Sequence, residues 1–112
     1  MVEQISPLQL KAWLDDAADS SSIVKPLLLD VREPQEFAHC HIHGALPMPL
    51  ASVSAHVQEL DADAPTVVIC HHGMRSSQVA MYLQQQGFSK LYNLAGGVAA
   101  WAAQIDPAMP TY

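Results

Sequence analysis

At 112 residues, half of them apolar, the chain is sized for one domain (residues 1–112) built on one hydrophobic core. Its net charge of −6, with only Lys11, Lys25, Arg32, Arg75 and Lys90 cationic and those scattered, argues against a nucleic-acid partner. No run approaches a membrane span, no basic-then-apolar leader opens the chain, and two cysteines make no disulfide framework. The expectation is therefore a cytoplasmic monomer with no membrane contact.

Glu3-Gln4-Ile5 reads as a short edge strand. Ser6-Pro7-Leu8-Gln9 combines a capping serine, a proline suited to the first helical position and a glutamine that completes a capping box. Leu10, Trp13, Leu14 and Ala17 then recur at helical spacing, and the polar stretch from Ala18 to Ser22 breaks the helix. Pro26–Arg32 is an apolar run that ends in charges, as in a parallel strand covered on both faces, with Asp30, Arg32 and Glu33 at its carboxyl end. Those charges are expected to pair at the strand's rim, with ligand contact by Arg32 as the second reading. Pro34–Ala38 predicts a short helical turn.

His39, His41 and His43 would share one face of an extended chain, and imidazoles suit transition metals. No carboxylate or second thiol stands at a familiar ligand spacing, so no metal is expected, and Cys40 is read as a packed residue. Ala45–Met48 predicts a brief strand that its prolines confine to an edge. Leu50, Val53, Val57 and Leu60 are spaced for a helix over one face. A strand at Thr66–Ile69 follows, then a helix from Ser76 through Leu83 that Gly87 closes. Lys90–Leu94 predicts another strand. Gly96-Gly97 bends the chain, and Val98, Trp101, Ala102 and Ile105 mark a last amphipathic helix. The tail beyond Pro107 looks dispensable. Strands alternating with helices give an α/β domain with a parallel sheet, whose ligands bind beyond the carboxyl ends of the strands.

The informative stretch is Cys70-His71-His72-Gly73-Met74-Arg75-Ser76, between a buried strand and a helix. A cysteine ending a core strand is often only packing. Here a glycine, an arginine and a helix start accompany it. The loop amides and the helix N-terminus favour a thiolate, and Arg75 carries a planar fork of donors suited to oxyanions. Nucleophile and anion site thus share one loop.

Four segments together resemble the rhodanese family in its single-domain form. They are Leu29-Asp30-Val31-Arg32-Glu33 followed by Glu36-Phe37, His41-Ile42-His43-Gly44-Ala45, the Cys-x-x-Gly-x-Arg-Ser loop at Cys70, and Asn93–Trp101 with its double glycine. They occur in the family's order; Cys40 departs from it, standing where the family commonly has glycine. The resemblance implies a three-layer α/β/α domain with a five-stranded parallel sheet of order 1-5-4-2-3. It implies sulfane-sulfur transfer without a cofactor, from a small anionic donor such as thiosulfate to cyanide or a thiol, through a persulfide on Cys70. Candidate substrate-binding residues are His71, His72, Gly73, Met74, Arg75 and Ser76, with Asp30 and Arg32 in support. Arg75 has two readings, a grip on the donor's anionic head or a brace for the loop. A non-catalytic binding module of the same fold is the alternative. A phosphatase is disfavoured, because the Cys-x4-Arg loop is one residue shorter than the Cys-x5-Arg of the related phosphatases.

Overall fold

The computed structural model describes residues 2–112. Five parallel strands, β1 (Val2–Ile5), β2 (Leu27–Asp30), β3 (Leu46–Pro47), β4 (Thr66–Ile69) and β5 (Leu91–Leu94), form one sheet in the order β1-β5-β4-β2-β3. The helices are α1 (Pro7–Asp19), α2 (Pro34–His39), α3 (Val53–His56), α4 (Met74–Gln85) and α5 (Gly97–Gln104). The predicted layer architecture and strand order are those observed.

Period-two alternation decides the packing. In β4 every residue is buried; Val67 and Ile69 face one layer, Val68 and then Cys70 the other. The first layer gathers Leu10 of α1 with Val98, Trp101 and Ala102 of α5. The second gathers Val53 of α3 with Val79, Ala80 and Leu83 of α4. Each fully buried Val or Leu contributes about 1.5–3 kcal/mol relative to exposure. The central strand is therefore a rigid base for whatever stands at its end.

Local signals resolve as read at α1, where Ser6 Oγ accepts from Gln9 N at 3.1 Å and Gln9 Oε1 accepts from Ser6 N at 2.9 Å. Elsewhere the structure corrects the sequence. The expected helix over Leu50–Leu60 is three short pieces, 3-10 at Leu50–Ser52, α3, and 3-10 again at Val57–Glu59. Only Val53 of these is buried, so packing is too thin to hold one continuous helix. Helix α4 begins at Met74, two residues before the expected start, because Gly73 caps it in a left-handed conformation (φ 104°). The tail beyond Pro107, expected to be dispensable, packs on the domain instead: Met109 is buried in the first layer.

Candidate active site

Cys70 leaves β4 at its carboxyl end and is 1% exposed. Its sulfur accepts from the Gly73 amide at 3.0 Å and from the Ser76 hydroxyl at 3.3 Å. Burial pushes the thiol's pKa up. Hydrogen bonds from Ser76 and Gly73, helped by the nearby His72 amide, outweigh that and hold it below the ordinary value; Gly73 caps α4 and Ser76 lies in its first turn. The donors that face the Cys70 sulfur are thus the Gly73 amide and the Ser76 hydroxyl.

Neighbouring strands and helices fix this pocket from behind. The Ser76 hydroxyl also reaches Asn93 Oδ1 on β5, so its single proton serves two acceptors. Asn93 Nδ2 donates to Gln4 Oε1 (3.0 Å) and to the Gly73 carbonyl (3.2 Å), which fixes the amide with Oδ1 toward Ser76. The N-terminus of α5 meets the Cys70 loop directly: Val98 N donates to Cys70 O at 2.9 Å and Ala99 N to His71 O at 3.1 Å. That approach leaves no room for a side chain at position 97. A Cβ on Gly97, whose φ is +59°, would press into the Cys70 and His71 carbonyls.

Arg75 points toward α2. Its Nη1 and Nη2 donate to Glu36 Oε1 and Oε2 at 2.7 and 2.9 Å, a bidentate pair. The hydrogen bond from Arg75 holds the Glu36 carboxyl at a pKa of about 2, well below its ordinary value, and Glu36 in turn raises that of Arg75. Of the three charges expected to pair, Asp30 and Arg32 do so, fully buried, with Nη2 to Oδ2 at 2.7 Å and Nε to Oδ1 at 2.9 Å, while Glu33 is exposed and instead caps α2. Arg32 also donates to the Cys40 carbonyl at 2.7 Å and to the Tyr112 hydroxyl at 3.0 Å. Asp30 and Arg32 therefore connect to Arg75 indirectly, through Tyr112 and Glu36. Met74 stands at the rim, 78% exposed, and His72 is exposed beside half-buried His71.

Two of the three clustered histidines make local contacts: His39 Nε2 donates to the Thr111 carbonyl at 3.2 Å, and His41 bonds to the Phe37 carbonyl while stacking on its ring. Among the described residues no group of three or more His, Cys, Asp or Glu side chains is placed to hold a metal ion, and no helix is long and apolar enough to cross a membrane. The sequence reading missed Glu36, Asn93 and Tyr112 as parts of the site. Asn93 had a signal, a polar residue at an inward position of a buried strand; Tyr112 had none.

Comparison with known proteins agrees with this geometry. The rhodanese-like domain profile matches residues 7–104. The thiosulfate sulfurtransferase GlpE of Pseudomonas fluorescens (strain Pf0-1) is 39% identical over 88% of this chain and 84% of its own length. GlpE of Pseudomonas putida (strain F1) is 44% identical over 69% and 70%. Among solved structures, the rhodanese-like domain protein from Staphylococcus aureus superposes with a TM-score of 0.77 at 25% identity, covering 88% of this chain and 90% of that one. With its sheet order, its cysteine loop and these relatives in agreement, the chain belongs to the rhodanese-like domain family and is a sulfurtransferase of that family.

Proposed function

We propose that Cys70 carries the transferred sulfur as a persulfide, taken from a donor such as thiosulfate and passed to cyanide or a thiol. The observation that carries this reading is the setting of the Cys70 sulfur, which sits at the N-terminus of α4 and accepts from Gly73 N–H and Ser76 O–H. In the loading step the Cys70 thiolate attacks the outer sulfur of thiosulfate. A sulfur–sulfur bond forms to Cys70 as the bond to the sulfonate group breaks, and sulfite leaves with the electron pair. The persulfide's outer sulfur extends about 2 Å beyond the first. Its negative charge then lies within the loop amides of residues 71–75. In the discharge step cyanide or a thiolate attacks that outer sulfur, and Cys70 departs as the thiolate with which the cycle began. No redox cofactor or metal enters this balance.

Met74 and His72 line the rim that donor and acceptor cross, His71 supports it, and Arg75 acts as a brace, since both its terminal nitrogens are engaged by Glu36. We further propose that residues 1–112 act as one domain, a cytoplasmic monomer whose two free thiols stay reduced. The test is steady-state thiocyanate formation from thiosulfate and cyanide. Turnover by the wild type, retained in Cys40→Ser and abolished in Cys70→Ser, is expected; turnover that survives in Cys70→Ser removes the assignment.

A further inference from the structure

Beyond the loop itself, residues 109–112 return across the active-site end of the sheet. Met109 is anchored in the core, and the Thr111 carbonyl accepts from His39. Tyr112 then makes three contacts with site residues. Its ring stacks on His71 (centroids 4.0 Å apart, planes at 15°), which itself stacks on His72 (4.0 Å, 28°). Its hydroxyl donates to Glu36 Oε2 at 2.7 Å and accepts from Arg32 Nη1 at 3.0 Å. A small cavity of about 110 Å³ lies between the tail and the loop, bordered by Cys40, His71, Val98 and Tyr112.

We propose that Tyr112 is a positioning residue for sulfur transfer, a strap that ties Arg32 to the Glu36–Arg75 pair through its hydroxyl and holds the His71 side of the Cys70 loop through its ring. The chemistry follows from the bonding inventory. Arg75 is in the first turn of α4, one residue before the Ser76 that donates to the sulfur, so a shift of Arg75 shifts Ser76. Glu36 Oε2 receives both Arg75 Nη2 and the Tyr112 hydroxyl, while Oε1 receives Arg75 Nη1 and the Glu33 amide, so loss of the hydroxyl leaves Oε2 held by Arg75 alone. The neutral ring beside His71 shields it from water. Burial lowers the pKa of His71, and the nearby His72, Arg75 and Arg32 charges lower it further while Glu36 opposes them.

The inference rests on the Cys70 persulfide reading, and two variants separate the two. Tyr112→Phe keeps the ring and removes the hydroxyl; Tyr112→Ala removes both. Persulfide loading by thiosulfate, followed by stopped flow, is expected to slow about three- to tenfold in Tyr112→Phe, the scale of one or two lost hydrogen bonds, and further in Tyr112→Ala. The His71 ring, followed by NMR, is expected to titrate as in wild type in Tyr112→Phe and at higher pH in Tyr112→Ala, a signature that general loss of stability does not produce. A wild type that takes up no sulfur removes the persulfide reading and the strap's role with it. A wild type that loads while Tyr112→Ala loads equally fast, with His71 unshifted, overturns the strap alone.

Discussion

At Cys70 two opposed effects act on one atom, and the outcome sets the reactivity. Burial disfavours the thiolate, while the amide of Gly73, the hydroxyl of Ser76 and the start of α4 favour it more strongly. Removing the hydroxyl in Ser76→Ala is expected to raise the Cys70 pKa, read as a shift to higher pH in the midpoint of its iodoacetamide alkylation. Thiosulfate loading at neutral pH is expected to fall about tenfold, the scale of a hydrogen bond to a charged group. The same change leaves Asn93 Oδ1 without its donor in a buried site, so Tm is expected to drop as well. Arg75→Ala separates brace from grip. With both terminal nitrogens on Glu36, loading and discharge are expected to slow together, by about tenfold or more, with a lowered Tm. A loss confined to loading by the anionic donor would return Arg75 to the role of substrate ligand. The residue types of this loop were legible from sequence, because Cys, Gly, Arg and Ser at fixed spacing carry their chemistry locally. The partner of Arg75 was not, since Glu36 lies 39 positions away and only the fold brings it there.

Three elements converge on the loop: β4 delivers the cysteine, α4 supplies donors to its sulfur, and α5 supplies donors to its carbonyls. The double glycine was readable as a bend. Its second purpose, contact between Gly97 and the Cys70 carbonyl, belongs to packing between elements and leaves no periodic trace in the chain. Gly97→Ala is expected to cost about 1–3 kcal/mol from overpacking alone, with further strain from the positive φ, measured by urea denaturation. Thiocyanate formation is expected to fall with it, since the displaced backbone is that of Cys70 and His71; unchanged stability would contradict the close packing of α5 on the loop. Helix α1 was legible because its cap, proline and apolar stripe agree. The segment over Leu50–Glu59 was not, because regular spacing of a few apolar residues does not reveal that only one of them finds a core.

Across the whole molecule, the alternation of strand and helix gave the class, and the resemblance supplied a strand order that periodicity alone does not contain. What neither supplied is the charged network joining β2, α2, α4 and the tail, from Asp30 through Arg32, Tyr112 and Glu36 to Arg75. Its pH dependence follows from Glu36, whose pKa falls from 4.5 to about 2 on folding. A depressed carboxyl contributes stability that is complete above about pH 4.5 and is lost as pH falls toward 2. Wild type is expected to lose stability across that window in acid titration followed by circular dichroism, and Glu36→Gln to lose less there from a lower starting value. An identical slope in both would detach Glu36 from the network. The central claim, that the sulfur resides on Cys70, is tested most directly by intact-protein mass spectrometry after incubation with thiosulfate. A gain of one sulfur atom in wild type and in Cys40→Ser, reversed by cyanide and absent from Cys70→Ser, is expected. The same gain in Cys70→Ser, or its loss in Cys40→Ser alone, would contradict it.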